Sequence, residues 1–236
     1  MRGVQQTGAV PAGGPGSLAT FAGLARQVYA GPARLGRVRL VAVDGPSGAG
    51  KSTFAERLAT ACAEAASPSP AVAVVHTDDL LDGWHDQFTF WPRLHEWVLG
   101  PLGAGRPARY RRYDWAAGRF RDEWTVVDPP DVLVIEGVSA ARAAIRPTAT
   151  LSVFVTAAAP VRLARSLARD GAAMQPALDR WRRAEERFFT TDGTAAAVDL
   201  VVDTSAAGPA DTSAYRRVGG RADVDAGGAG GAPSAG

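Results

Sequence analysis

The chain has 236 residues, 46% hydrophobic and 21% charged, and these ordinary proportions exclude fibrous, collagenous and wholly disordered proteins. One cysteine, Cys62, excludes a disulfide scaffold and a cysteine-only metal cluster. We find neither an apolar run long enough to span a membrane nor a signal-like start, and we expect a cytoplasmic protein. Of the 26 basic residues, only Lys51 is a lysine.

The predicted elements alternate between strands and helices along one domain. Residues 1–16 and 206–236 are rich in small and polar residues, which predicts disordered tails around a domain at 17–205. Helical spacing from Ser17 to Ala30 begins at a serine suited to N-capping. Further helices are predicted at Lys51–Ala66, Arg93–Leu99, Pro160–Arg169 and Pro176–Phe189.

Five short apolar runs predict the strands, at Val38–Val43, Val72–Val75, Val132–Ile135, Leu151–Val155 and Val198–Val202. Apolar strands that alternate with helices indicate an α/β fold: a parallel five-stranded sheet with helices on both faces, in three layers. The gap from residue 76 to residue 131 is too long for a simple crossover. It predicts an insertion, at 84–128, that covers the substrate.

A phosphate-binding loop is the strongest motif. The segment Gly45-Pro46-Ser47-Gly48-Ala49-Gly50-Lys51-Ser52 fits G-x-x-x-x-G-K-S, and it follows a predicted strand and precedes a predicted helix that starts at Thr53. Its glycines let backbone N–H groups approach phosphate, Lys51 can reach the β- and γ-phosphates, and Ser52 offers a hydroxyl to Mg²⁺. This pattern predicts ATP and Mg²⁺ as cofactors.

The rest of the chain narrows the class of phosphate-loop protein. GTPases read guanine with an N/T-K-x-D element, which would need a second lysine, and this chain has none. The L-S-G-G-Q signature of ABC-type ATPases does not occur either. The third strand runs into Glu136 and Gly137, without the Asp-Glu pair of many hydrolytic ATPases. These features favour a small-molecule kinase.

An ordered set of motifs resembles the uridine kinase-like branch of P-loop kinases, which includes phosphoribulokinase. The set runs from about Arg37 to Thr204: V-A-V-D-G-P-S-G-A-G-K-S-T, V-V-H-T-D-D, R-Y-R-R-Y-D-W, V-L-V-I-E-G, F-V-T-A-A-A-P-V-R-L-A-R-S-L-A-R-D and V-D-L-V-V-D. The resemblance implies transfer of the γ-phosphoryl of ATP to a hydroxyl of a small molecule, with a strand order in which the phosphate-loop strand is central.

The resemblance also implies roles for acidic and basic residues. Asp78 matches the aspartate that accepts the substrate proton and helps to place Mg²⁺, with Asp79 as the adjacent alternative, and Glu136 matches a glutamate near the metal. The family places arginines of one helix against the transferring phosphates, and here the matching residues are Arg162, Arg165 and Arg169. A solvated arginine face is the competing interpretation. The family's Gly-Arg lid element is missing, and Arg180, Arg182 or Arg183 could replace it.

The residues expected to bind the acceptor depart in part from the family pattern. Tyr113-Asp114-Trp115 matches a substrate element, but Gly118 stands where pyrimidine kinases carry a base-reading histidine, and Leu81 stands where a tyrosine is common. His85, or an arginine among Arg109, Arg111 and Arg112, could supply a contact. The histidines have no metal-ligand spacing. Five of the six tryptophans and seven arginines fall in or beside the insertion, which indicates a cap over an anionic or aromatic small molecule rather than a nucleic-acid platform.

Taken together, the motifs predict a kinase whose favoured acceptor is a nucleoside, uridine or cytidine. A kinase for a nucleotide, sugar or vitamin is the alternative among enzymes. An ATP-binding switch without transferase activity is the alternative from another class, and it would not need the pair Asp78 and Glu136. The partners expected are ATP and the acceptor, without nucleic acid or membrane.

Overall fold

The structure is a computed structural model that describes residues 16–206 and 212–221. Its strands are β1 Ser17–Thr20, β2 Arg39–Asp44, β3 Val72–His76, β4 Ala108–Asp114, β5 Arg119–Val127, β6 Val132–Glu136, β7 Leu151–Thr156, β8 Leu200–Asp203 and β9 Ala214–Gly219. Its α-helices are α1 Phe21–Ala30, α2 Lys51–Ala63, α3 Trp91–Leu94, α4 Gly100–Gly103, α5 Ala159–Asp170, α6 Gln175–Asp192 and α7 Thr194–Ala197. Tighter or wider turns occur at Thr77–Leu80, His95–Leu99 and Ala172–Met174.

The central sheet confirms the predicted α/β fold. It has seven strands in the order β1-β9-β8-β7-β2-β6-β3, and the five strands from β8 to β3 are parallel. These five are the predicted strands, and β2, which leads into the phosphate loop, is the middle one. Parallel strands end at the same edge of the sheet, so the residues that follow β2, β3 and β6 are brought together there.

Two expectations at the chain ends differ from the structure. Residues 17–20 form a strand, so Thr20 rather than Ser17 caps α1, and its hydroxyl accepts a hydrogen bond from the Gly23 N–H at 3.1 Å. Residues 214–219, expected in a disordered tail, form β9. The cause is nonlocal, because β9 pairs antiparallel with both β1 and β8. Of the expected tails, residues 1–15, 207–211 and 222–236 lie outside the described residues.

Both faces of the sheet are covered. Neighbouring residues of β2 point in opposite directions: Leu40 packs into the core beneath the insertion, and Val41 packs into the core against α1 and α2. The second core contains Phe54 and Leu58 of α2. These two layers of side chains fix the start of α2, and with it the phosphate loop, against the sheet.

The insertion has a helical part and a hairpin. The predicted helix at Arg93–Leu99 is longer than expected, because α3, the wide turn His95–Leu99 and α4 follow one another without a break. Strands β4 and β5 form a separate antiparallel hairpin. Leu94, Val98 and Leu102 are buried and anchor the helical part to the core. Within residues 16–206 and 212–221, no helix combines the length and apolarity needed to cross a membrane.

Candidate active site

The phosphate loop joins β2 to α2 in a conformation that requires glycine. Gly45 and Gly48 have φ angles of +139° and +78°. A Cβ at Gly45 would lie 2.0 Å from the Val155 carbonyl oxygen, and one at Gly48 would lie 2.3 Å from that of Arg162. The backbone therefore packs closely on β7 and α5. The nine predicted cradle residues occupy this turn and the first turn of α2: Gly45, Pro46, Ser47, Gly48, Ala49, Gly50, Lys51, Ser52 and Thr53.

Lys51 and Ser52 begin α2 and point toward different partners. The Lys51 ammonium donates to the Pro46 carbonyl oxygen at 3.3 Å, which folds it back over the loop. The Ser52 hydroxyl donates to the Glu136 carboxylate at 3.0 Å. The loop and the end of β6 are thus joined directly, although 84 residues separate Ser52 from Glu136 in the chain.

His76 is a partner of Glu136 that the sequence analysis did not identify. The two residues end the neighbouring strands β3 and β6 in register, and His76 Nδ1 lies 2.5 Å from Glu136 Oε1. Burial acts to raise the pKa of Glu136, but the hydrogen bond from His76, the charge of Lys51 and the Ser52 hydroxyl bring it below its usual value. The same hydrogen bond raises the pKa of His76. Glu136 is therefore held as a carboxylate.

Asp78 and Asp79 have different surroundings in the turn after β3. The Asp78 side chain is exposed at the surface, but the protein atoms around it displace part of its solvent. This desolvation raises the pKa of Asp78. The charges of Lys51 and Arg169 oppose that rise, while Glu136 adds to it. Asp79 instead forms an ion pair with Arg112 of β4 at 3.0 Å. The charge of the phosphate-loop lysine, Lys51, therefore acts on the Asp78 carboxyl group.

The three predicted arginines of α5 make different contacts. Arg165 donates to the Gly48 carbonyl at 3.3 Å and to the Thr204 carbonyl at 2.8 Å, which ties the loop to the end of β8. Arg162 donates to the Ala157 carbonyl at 3.0 Å, and burial lowers its pKa. Arg169 pairs with Asp170 at 2.7 Å, and the charges of Asp78 and Glu136 also act on it.

The candidates for a replacement lid arginine lie on α6. Arg182 donates to the Arg162 carbonyl oxygen at 3.3 Å, so it packs against α5. Arg180 and Arg183 are exposed.

Asp44, the last residue of β2, is a second residue that the sequence analysis missed. One carboxylate oxygen accepts from the N–H groups of Gly45 at 2.7 Å and Ser139 at 2.8 Å, and the other accepts from the Ala141 N–H at 2.9 Å. Complete burial raises the pKa of Asp44 to about 7, against the effect of these bonds and of Lys51. Asp44 ties the start of the loop to the segment after β6. An acid at the end of an apolar strand was the available signal.

The predicted acceptor residues lie in the insertion. The Tyr113 ring packs on Trp115 and Phe120 at centroid distances of 5.1 and 5.3 Å. Asp114 accepts hydrogen bonds from the N–H groups of Ala116 and Ala117 at 3.1 and 3.0 Å, so it shapes the hairpin turn. His85 is exposed in the segment 81–90.

Arg109, Arg111 and Arg112 divide between the two faces of β4. The guanidinium groups of Arg109 and Arg111 lie 5.4 and 4.7 Å from the centre of the Trp124 ring. Arg112 alone among them pairs with Asp79, next to the candidate base. Gly118 has a φ of +67° in the hairpin turn, and a Cβ there would meet no atom within 4 Å.

A cavity of about 310 Å³ opens beside the phosphate loop at Gly50 and Thr53. Its aromatic wall consists of Phe21, Phe54 and Tyr215, whose ring centres lie 5.1 to 5.5 Å apart. The polar lining residues are Thr53, Arg57, Arg165, Asp203, Thr204 and Arg216. Tyr215 and Arg216 belong to β9, so the unexpected strand completes the cavity.

The donor atoms present suit Mg²⁺. Ser52 and Glu136 supply adjacent oxygens. Asp78 supplies a second carboxylate, on which the charge of Glu136 acts. No group of three or more His, Cys, Asp or Glu side chains in the described part of the chain could hold a metal ion by itself. Mg²⁺ typically takes one or two carboxylates together with substrate phosphates and water, which fits this small set of hard oxygen ligands.

Comparison with known proteins agrees with this architecture. Residues 91–188 match the sequence model of the phosphoribulokinase / uridine kinase family. The chain is 31% identical over 143 residues to inorganic pyrophosphatase TTM2 of Arabidopsis thaliana; the match covers 56% of this chain and spans a fifth, 20%, of that protein's length.

Solved structures share the fold. A possible uridine kinase from Bacillus stearothermophilus is 20% identical with a TM-score of 0.55, covering 73% of this chain and 91% of that one. A protein provisionally named a fructose transport system kinase, from Silicibacter sp. TM1040, is 23% identical with a TM-score of 0.56, covering 78% and 98%. The resemblance predicted from the sequence is therefore confirmed: the chain is similar to the phosphoribulokinase / uridine kinase family and has the fold of P-loop kinases.

Proposed function

We propose that this chain transfers the γ-phosphoryl group of ATP to a hydroxyl of a small molecule. One observation carries the proposal: the ends of β2, β3 and β6 bring a phosphate-loop lysine, a solvent-reaching aspartate and a buried glutamate into one electrostatic cluster. A protein that only bound nucleotide would need the loop, but it would not need Asp78 and Glu136 beside it.

The residues divide the chemistry between them. The loop N–H groups and Lys51 would hold the phosphates, and their fixed positive charge would stabilise the charge that develops during transfer. Ser52, Glu136 and Asp78 would hold Mg²⁺, which would neutralise phosphate charge when bound. Glu136 is suited to this task because it stays ionised.

Asp78 is the candidate general base. It would accept the proton of the acceptor hydroxyl, and the desolvation that raises its pKa brings a carboxyl closer to the range in which a base is effective. Arg169 would act on the transferring phosphoryl group, since its charge already acts on Asp78 and Glu136. Arg162 and Arg165 would support the reaction by holding α5 and the loop in place.

The cavity beside Gly50 is the proposed site for the base and ribose of ATP. It adjoins the loop directly, and an aromatic wall with a few polar groups is typical of sites for small organic ligands. Arg165 lines this cavity and also contacts the Gly48 carbonyl, so one side chain spans the cavity and the phosphate cradle.

The proposed acceptor is a nucleoside, with uridine and cytidine first, and a sugar is the second candidate. The aromatic cluster of Tyr113, Trp84 and Trp115 on the acceptor side supports a ring-bearing molecule. The names of the two structural relatives, a possible uridine kinase and a provisional fructose transport kinase, point to these same two classes. Asp78, Tyr113 and His85 are the proposed acceptor contacts. Asp114 would shape the hairpin that carries Tyr113.

The test is ADP release from ATP and Mg²⁺ in the presence of uridine, cytidine, their monophosphates, fructose and sugar phosphates. Acceptor-dependent release that disappears in Lys51→Ala supports the proposal. If nucleotide binds but no acceptor increases ADP release, the chain is an ATP-binding protein without this transferase activity.

A further inference from the structure

A buried carboxylate on α6 reaches into the phosphate loop. Glu185 is 1% exposed, and its Oε1 accepts from the Ser47 N–H at 3.0 Å and from the Ser47 hydroxyl. The indole N–H of Trp181 donates to the same oxygen at 2.7 Å and to the Ser47 hydroxyl oxygen at 3.0 Å. A helix that follows the loop by more than 120 residues thus holds the middle of the loop through one oxygen atom.

The second carboxylate oxygen of Glu185 has a different environment. Oε2 is buried and has no hydrogen-bond partner within residues 16–206 and 212–221. The charge of Glu185 acts on Arg162 of α5. A buried carboxylate oxygen without a hydrogen-bond partner costs free energy.

Trp181 also connects the loop to the acceptor side. Its ring makes an edge contact with Trp84 at 5.3 Å, and Trp84 makes another with Trp115 of the hairpin at 5.4 Å. The Gln87 side chain donates to the Trp181 carbonyl at 3.4 Å. A continuous path of direct contacts therefore runs from Ser47 through Trp181 to the segment 81–90.

We propose that Glu185 and Trp181 are positioning residues that form a latch between the phosphate loop and the segment 81–90. The inference rests on the proposed function, because the signal it transmits is the arrival of nucleotide phosphate at the loop. An anion held by the loop N–H groups would face the Glu185 carboxylate at close range. Repulsion between like charges weakens the bonds to Ser47. Trp181 then loosens its hold on Trp84, and the acceptor side opens.

Hydrogen–deuterium exchange of the full chain, with and without Mg²⁺ and a non-hydrolysable ATP analogue, tests the latch. In the wild type we expect slower exchange at 45–53 and exchange at least about threefold faster at 81–90. Glu185→Gln keeps the accepting oxygen but removes the charge. In this variant we expect the analogue to slow exchange at residues 45–53 and to leave exchange at 81–90 unchanged. We also expect the Kd for the analogue, measured by calorimetry, to fall about threefold to tenfold.

Two further variants separate the latch from general packing. Trp181→Phe keeps an aromatic ring and removes the indole N–H. We expect the analogue still to slow exchange at residues 45–53 of this variant, but no longer to speed exchange at 81–90. Glu186→Gln makes the same chemical change at the next, exposed position and should behave as the wild type. If the analogue slows exchange at residues 45–53 of the wild type but does not change exchange at 81–90, the latch is overturned and the proposed function is unaffected. If 45–53 shows no protection, the proposed function fails and the latch falls with it.

Discussion

The hydroxyl of Ser52 and the carboxylate of Glu136 are hydrogen-bonded at 3.0 Å, which joins the first turn of α2 to the end of β6. Ser52 lies in the first turn of the helix that follows β2 and Glu136 ends β6, so the contact brings together two predicted metal ligands from separate parts of the chain. Their contact brings two oxygen ligands together at the carboxyl ends of the strands, which is where open α/β sheets bind ligands.

Lys51→Ala should remove most phosphoryl transfer while leaving the fold intact. Lys51 is the lysine of the loop, and fixed charge at a transferring phosphate acts chiefly on the transition state. The measurement is ATP turnover with a working acceptor, with circular dichroism in parallel. Activity within about threefold of the wild type would contradict the kinase assignment.

Asp78→Asn should lower kcat on the order of 10²-fold or more, with little change in nucleotide affinity. A base that acts only during proton transfer affects the rate more than ground-state binding. Affinity should be measured with and without Mg²⁺, because Asp78 is also a proposed metal contact. Asp79→Asn is the matched control: it breaks the ion pair with Arg112 and should affect kcat less. The opposite order of effects would assign the base to Asp79.

Asp44→Asn should change how stability depends on pH. The folded pKa of Asp44, about 7, lies above its ordinary value of 3.8, so the native state binds more protons than the unfolded state between these values. The contribution of Asp44 to the free energy of unfolding is therefore largest at low pH, decreases as the pH rises from about 4 to about 7, and is constant above that.

The variant isolates this contribution. Asparagine keeps one acceptor but places a donor against a backbone N–H, which costs about 1–3 kcal/mol. Urea unfolding across this pH range should give a wild-type advantage that shrinks as the pH rises. An advantage that stays level or grows with pH across this range would contradict the raised pKa of Asp44.

Uridine and cytidine should be weakly discriminated from other acceptors. Gly118 offers no side-chain donor where related pyrimidine kinases use a histidine, and a site without such a hydrogen bond discriminates poorly. The measurement is steady-state kcat/KM for uridine, cytidine, their monophosphates and sugar phosphates. A kcat/KM for uridine about a hundredfold above every other acceptor would contradict weak discrimination and single out uridine among the proposed acceptors.

The sequence by itself determined the parallel sheet and the phosphate loop, because both depend on local patterns. The five apolar runs are strands with bounds within two residues of those expected, and the loop is defined by glycines whose φ angles other residues avoid. Asp78 was placed correctly at the end of β3 for the same reason, since a residue that follows a parallel strand faces the ligand edge.

Only the tertiary structure decided what these residues contact. β9 was missed because its pairing with β1 joins segments about 200 residues apart, and that pairing completes the cavity at Tyr215. His76 and Glu185 carry no distinctive local signal, and Asp44 has only its place at the end of an apolar strand. Their roles depend on which backbone N–H or carboxylate lies opposite, and that is set by how strands and helices far apart in the chain pack together. The arginines of α5 make the same point: although Arg162, Arg165 and Arg169 recur at helical spacing, Arg165 contacts the loop and Arg169 is acted on by the charges of Asp78 and Glu136, because each meets a different neighbour.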